Sequence, residues 1–291
     1  MRVLKRLIIF CFLIIHAAFT WGQDGFIKGS PELAYWKIGN KKEVVIVLHG
    51  GPAAAHNYLR PEWDQLSKAA QVIYYDQRGC GKSEKATCYS WREHVEDLKR
   101  VINTVANGKR VILAGSSWGY RLALLYAYTY PEDVKAMILS GTVKWRGGVK
   151  EPKDCALYAP DTKWNPNDYR EDTVIFSSFN FYQPPLKDSS QLKTGRKEKF
   201  FEGNNYSFQY TMNSLQEAPA LQQLAKINTR ILVFQAVGCQ QNINKDAAHE
   251  LIGVLPNLEV YPIKDACHDP WYTHTEEFFK KCNEFIKKVK A

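Results

Sequence analysis

No apolar run in this 291-residue chain reaches the roughly 20 residues that a membrane-spanning helix requires, which excludes a polytopic membrane protein. No two cysteines stand in C-x-x-C spacing, so there is no zinc-ribbon or zinc-knuckle pattern and no metal site to assign. Internal repeats and low-complexity segments are missing too, which removes solenoids and disordered tails from consideration. Charge of one sign never accumulates in long blocks: 39 Lys and Arg face 30 Asp and Glu, and the net +9 is spread thinly. The C-terminal Lys280, Lys281, Lys287, Lys288 and Lys290 fall on the polar side of an amphipathic helix, where they read as solvated surface. No nucleic-acid reader motif accompanies them, so no nucleic-acid partner is expected. What is there, 45% hydrophobic and 24% charged residues, is globular composition of a size for one α/β domain carrying an insertion.

The chain opens on Arg2, Lys5 and Arg6 with no acid, then an apolar run of about a dozen residues from Leu7 to Ala18, then small and polar residues to Gly22 and Gln23. This is the layout of a secretory signal peptide over residues 1–22, and the run is short for an anchor. The expectation is a secreted or periplasmic protein with no stable membrane span after cleavage. Cleavage would remove Cys11 and leave Cys80, Cys88, Cys155, Cys239, Cys267 and Cys282, an even number that permits disulfides in an exported chain.

Apolar strand-like runs then alternate with helical periodicity. Val44–Leu48, Gln71–Asp76, Arg110–Gly115, Lys135–Gly141, Arg230–Gly238 and Leu258–Ile263 are almost continuously apolar, as strands covered on both faces are. Between them, Ser90 and Glu93 stand at capping-box spacing ahead of Val95, Leu98, Val101, Ile102 and Val105 on one helical face. A last helix is expected from near Thr273, with Phe278, Cys282, Phe285, Ile286 and Val289 on its apolar side. The alternation predicts right-handed crossovers and a doubly wound, mostly parallel sheet. It fails between residues 143 and 229, a stretch rich in Pro, Asn, Trp and Tyr and too long for a structureless loop. That stretch is expected to be an inserted, mostly helical cap between core segments 23–142 and 230–291.

Gly115-Ser116-Ser117-Trp118-Gly119 fits G-x-S-x-G between a strand and a helix, the setting in which a tight turn lifts a serine hydroxyl clear of a sheet. His49-Gly50-Gly51-Pro52 follows the strand ending at Leu48. Small residues there let backbone N–H groups of Gly50 or Gly51, together with that of Trp118, converge on a developing oxyanion. Asp76-Gln77-Arg78-Gly79-Cys80-Gly81-Lys82-Ser83 is Gly-rich but lacks the order of a phosphate loop, and Asp76 and Arg78 are read as braces for neighbouring loops.

HGGP, DQRGCGKS, GSSWG and the run from LALLYA to YPEDVKAMILSG together resemble the prolyl iminopeptidase-like branch of the α/β-hydrolase fold superfamily. The match is close over residues 44–142 and returns in outline from Arg230. The resemblance implies an α/β-hydrolase fold, a Ser117 nucleophile, Gly51 or Gly50 with Trp118 as oxyanion donors, and His268 in DACHDPW as general base. No metal or organic cofactor is implied, and the partner implied is a small-molecule or short-peptide substrate. The triad acid departs from the pattern. Its position falls on Cys239, or on Gln241 in another register, and neither is an acid. Asp265 is the nearest acid preceding His268 and stands as the candidate; Asp269 adjoins His268. Because the acid loop and the His loop of this fold meet, Cys239 and Cys267 are a candidate disulfide. HGGPA in place of HGGPG, and the bulky Tyr120-Arg121 pair after the elbow, are further departures. Two functions follow: an exported serine hydrolase cleaving a small ester or amide, including an N-terminal peptide bond, through an acyl-enzyme, or a hydrolase-fold binding protein that has lost its acid.

Overall fold

The computed structural model describes residues 23–148, 173–177, 200–238 and 247–290. Residues 1–22, expected to be a signal peptide, and Cys239 lie outside the described residues.

Eight strands form one sheet in the order β1-β2-β4-β3-β5-β6-β9-β10: β1 Gly25–Ile27, β2 Leu33–Ile38, β3 Val44–Leu48, β4 Gln71–Tyr75, β5 Val111–Ser116, β6 Val134–Ser140, β9 Arg230–Gly238 and β10 Leu258–Ala266. From β4 to β10 every neighbouring pair is parallel. The doubly wound, mostly parallel sheet is therefore the observed architecture. Its strands lie where the apolar runs predict, within a residue or two, apart from β10, which runs on to Ala266. The sequence pattern misses β1 and β2, which pair antiparallel with each other and, through Tyr35 opposite Tyr75, with β4.

The period-2 alternation of each strand divides the core into two layers. Ile46 and Leu48 of β3 and Leu113 of β5 point to one side, Val45, Val47 and Ile112 to the other, and all are fully buried. Helices α1, Trp91–Val105, and α2, Trp118–Thr129, cover the first layer. A 3₁₀ turn at Glu62–Lys68 with α5, Pro270–Thr273, and α6, Thr275–Lys290, covers the second. Each Val, Leu or Ile so buried contributes about 1.5–3 kcal/mol. Trp63 ties the second layer together, with its ring centroid 5.7 Å from Phe278 and 5.9 Å from Phe279.

Ser90 caps α1 as its spacing predicts: its Oγ accepts the Glu93 N–H at 3.4 Å. The last helix begins at Thr275 instead of near Thr273. Residues 270–273 make their own single turn, and His274, at φ −121° and ψ 46°, breaks the helical path between the two.

Within residues 143–229, the described parts are not helical alone. Strands β7, Thr173–Ser177, and β8, Phe200–Asn204, pair antiparallel as a separate two-stranded sheet, followed by α3, Asn205–Ser214. Helix α3 seats on the core through a Tyr89–Tyr206–Tyr210 cluster and a Trp91 N–H bond to Ser214 Oγ at 2.9 Å. A short helix α4, Ala247–Ile252, lies between β9 and β10 in the chain. Among the described residues no helix is long and apolar enough to cross a membrane.

Candidate active site

Ser117 stands between β5 and α2 with φ 58° and ψ −116°, a conformation that side-chain-bearing residues avoid. The turn is that sharp because α2 is pressed onto the sheet. A Cβ on Gly119 would lie 2.0 Å from the Leu48 carbonyl oxygen, so only glycine permits the approach. The Ser117 N–H is held by the Ser140 carbonyl at the end of β6, 3.1 Å away. Elbow, sheet end and helix start are thus locked in one piece, with Ser117 half-buried at the top.

The loop after β3 comes down beside it. The Cβ direction of Gly50 ends 3.2 Å from Ser117 Cβ. Gly51 has φ 113°, accessible to glycine, and leads into Pro52. The two glycines are not equivalent. The Gly50 N–H donates to Tyr58 Oη at 2.7 Å, so it is already engaged. Gly51 N–H has no hydrogen bond among the described residues, and the Trp118 N–H is the first of a helix, where no internal acceptor exists. Of the two glycines, Gly51 is therefore the one whose N–H is uncommitted among the described residues.

His268 lies in the connection between β10 and α5. Its backbone carbonyl oxygen and the Ser117 nitrogen both flank Gly141, 3.1 Å and 3.0 Å from a Cβ placed there. The structure thus brings Ser117, Gly50, Gly51, Trp118 and the His268 loop together. It does not bring Asp265 with them. Asp265 is exposed at the bulge between Lys264 and Ala266, with φ 54°, and makes no hydrogen bond or ion pair among the described residues. Asp265→Asn is accordingly expected to leave kcat/KM within about twofold, since a triad acid would cost about 10⁴-fold. Asparagine tolerates the same positive φ, so the fold is kept. Steady-state kinetics of the variant decide, and a thousandfold loss would restore Asp265 as the acid.

Asp269 turns inward. It is buried, accepts from Ser116 Oγ at 3.3 Å and from Trp271 Nε1 at 3.2 Å, and thereby pins the His268 loop to the elbow. Cys88 and Cys267 each take part in a disulfide, and no bond joins the two, whereas Cys80 and Cys282 are free and buried. Cys239, the partner expected for Cys267, and Gln241 lie outside the described residues.

The braces read from the sequence are in place. Asp76 Oδ1 accepts from the His56 N–H at 3.0 Å and from His56 Nδ1 at 2.8 Å, and Oδ2 accepts from the Lys82 N–H at 2.8 Å. Burial opposes the Asp76 carboxylate, but the bonds and charge of His56 outweigh it and hold its pKa below the usual value. Arg78 pairs with Asp97 at 2.7 Å and donates to the Cys88 carbonyl at 2.6 Å.

Sequence reasoning passed over Gln77, Tyr58 and the inward turn of Asp269. Gln77 lay inside a quoted motif and Asp269 beside the predicted base. Their roles arise from contacts across 8 to 153 positions of sequence, which no local pattern displays. Among the described residues, no three His, Cys, Asp or Glu side chains gather as a metal site.

The chain matches the alpha/beta hydrolase fold family over residues 43–198. It is 36% identical over 124 residues to a proline iminopeptidase of Thermoplasma volcanium, a match spanning 41% of this chain and 42% of that relative. It is 22% identical over 275 residues to the proline iminopeptidase of Saccharolobus solfataricus, over 87% of this chain and 88% of the other. The structure of a proline iminopeptidase from Mycobacterium smegmatis superimposes with a TM-score of 0.63 at 16% identity, covering 91% of this chain and 98% of that one. A family match over more than half the chain, carried on a parallel sheet whose strained elbow sits between β5 and α2, places this protein in the α/β-hydrolase fold family, with sequence similarity to proline iminopeptidases.

Proposed function

We propose that the chain is an exported serine hydrolase that cleaves a small ester or amide, an N-terminal peptide bond among them. The observation that carries this reading is the elbow: Ser117 is held at φ 58° against the Gly50-Gly51 loop, with the His268 loop beside it. Strain of that kind is kept where it serves a reaction. In the mechanism, Ser117 Oγ attacks the substrate carbonyl carbon and His268 takes its proton. The negative charge moves to the carbonyl oxygen, where the N–H groups of Gly51 and Trp118 hold it. Collapse expels the alcohol or amine, which leaves with the proton from His268, and an acyl-Ser117 remains. Water, deprotonated by His268, then attacks the acyl carbon and releases the acid, restoring Ser117. The family resemblance to proline iminopeptidases supports amide substrates, and the basic, then apolar, start of the chain supports export.

The second reading, a hydrolase-fold binding protein, is favoured by one observation: the aligned acid positions are Cys239 and Gln241, and Asp265 stands away from the site. Treating the mature protein with a fluorophosphonate separates the two. The expected result is one phosphonylated peptide, carrying Ser117, with no label in Ser117→Ala. A folded protein that takes up no label belongs to the second reading.

A further inference from the structure

The two oxyanion donors come from different segments, Gly51 from the loop after β3 and Trp118 from the start of α2. A donor pair is effective only if both N–H groups aim at the same oxygen, because the benefit lies in geometry fixed before the reaction begins. One side chain from a third segment bonds to both of these segments. Gln77, one residue past Asp76 in the turn after β4, is 1% exposed. Its Oε1 accepts the Trp118 indole Nε1–H at 2.6 Å. Its Nε2 donates to the His49 carbonyl oxygen at 2.9 Å, and its backbone N–H donates to His49 Nε2 at 3.0 Å. His49 in turn uses Nδ1–H to reach the Gly50 carbonyl at 2.9 Å.

Each bond fixes the next. The indole N–H is a donor only, so it must face the amide oxygen. The amide nitrogen then faces a carbonyl, which is an acceptor only. Flipping the amide would set donor against donor and acceptor against acceptor in a site without exposure to water. His49 Nε2 accepts from a backbone N–H, so the proton sits on Nδ1. Burial keeps the ring neutral, its pKa lowered to about 4 against the opposing pull of Asp76. The chain Trp118–Gln77–His49–Gly50 is thus satisfied in only one arrangement, and it ends on the carbonyl of the peptide that carries the Gly51 N–H.

We infer that Gln77 is a positioning residue of the oxyanion hole: its side-chain amide sets the spacing between the Gly51 and Trp118 N–H donors. It touches neither substrate nor nucleophile. The inference rests on the hydrolase reading above, and removal of this amide should weaken transition-state binding far more than substrate binding. Alternative structural roles for a buried glutamine would lower stability without that selectivity.

The test compares wild type with Gln77→Leu and Trp118→Phe, the latter keeping its backbone N–H while losing the indole donor. For each, urea unfolding, kcat and KM on an activated ester, and the Ki of a trifluoromethyl ketone analogue of that ester are measured. The ketone forms the tetrahedral oxyanion on Ser117 and so samples the donor pair directly. The expected result is a kcat about 10–100-fold lower with KM within about threefold, and a Ki raised by the same factor as kcat falls. Removal of an oxyanion donor itself costs about 10²–10³-fold, so a mis-aimed pair should cost less. Trp118→Phe should show the same pattern in smaller degree. If Gln77→Leu does not fold, Trp118→Phe alone decides on the same criterion. Folded variants with unchanged kcat and Ki overturn the inference while leaving the hydrolase reading intact. A folded wild type with neither turnover nor fluorophosphonate labelling overturns both.

Discussion

Ser117→Gly is expected to be more stable than wild type by about 1 kcal/mol and to lose hydrolysis by about 10⁴-fold or more. Both effects follow from one torsion angle. At φ 58° and ψ −116° a residue with a Cβ pays about 1–3 kcal/mol, and glycine pays almost none of it. The extra freedom of glycine in the unfolded chain takes back about 0.5–1 kcal/mol of that gain. Ser117→Ala keeps the Cβ and therefore keeps the strain, so it should be as inactive as Ser117→Gly but no more stable than wild type. Urea midpoints of the three proteins, read beside their turnover, give the comparison. Equal stability of Ser117→Gly and Ser117→Ala would mean that the elbow is relaxed, and turnover surviving in either would place the chemistry at another residue.

Acidification from pH 7 to pH 5 is expected to lower the unfolding free energy by about 2 kcal/mol through His49 alone. Burial dominates and lowers the folded pKa to about 4, with the nearby Asp76 charge and the Gly50 bond opposing. In the unfolded chain the same ring titrates near 6.5. Between those values the unfolded state binds the proton and the folded state does not, so stability is full above pH 6.5 and falls as pH drops toward 4. His94, buried against the Trp118 ring at 5.2 Å, is also held well below 6.5, first by burial and then by Arg78, and acts with the same sign. Asp76, held below its usual value, adds its loss only at lower pH, as the carboxylate range is crossed. Unfolding by urea at pH 7, 6 and 5 measures the slope. His49→Asn should flatten it whatever its effect on absolute stability, and an unchanged slope in that variant would assign the acid sensitivity elsewhere.

The parts of the fold that can be read from sequence are those whose signal is local. Val44–Leu48 announces itself by an unbroken apolar run, Arg230–Gly238 by a nearly continuous one, and Ser90 with Glu93 by capping distance. The Ser117 elbow is legible because two glycines, a strand and a helix must coincide in a dozen residues. The antiparallel β1 and β2 are illegible for the opposite reason. One is only three residues long, and Leu33–Ile38 is committed to the sheet only by its pairing with Tyr75 and its neighbours. Thr173–Ser177 is β-branched enough to read as a strand, yet its Pro- and Asn-rich surroundings hide it, and its partner lies at Phe200–Asn204. Within the site, the distinction between Gly50 and Gly51 depends on where the Tyr58 hydroxyl arrives. The exposure of Asp265 depends on a bulge in β10. Neither has a sequence signature.

The ladder between β6 and β9, with Ala136 opposite Arg230 and Leu139 opposite Val233, closes a loop that contains everything from residue 141 to residue 229. Closing a chain into a ring costs entropy that grows only with the logarithm of its length, about 0.6 kcal/mol for each doubling. The parallel pairing that completes the core is therefore almost indifferent to how much chain separates the two strands. Chain there that makes no contact with the core can lengthen or shorten at a closure cost smaller than that of removing a single buried valine from β3. The sheet is tied to this excursion through α3 and through Leu215, Leu224 and Ile227, which pack into the core, so insertion and deletion outside those contacts leave the register of the sheet untouched.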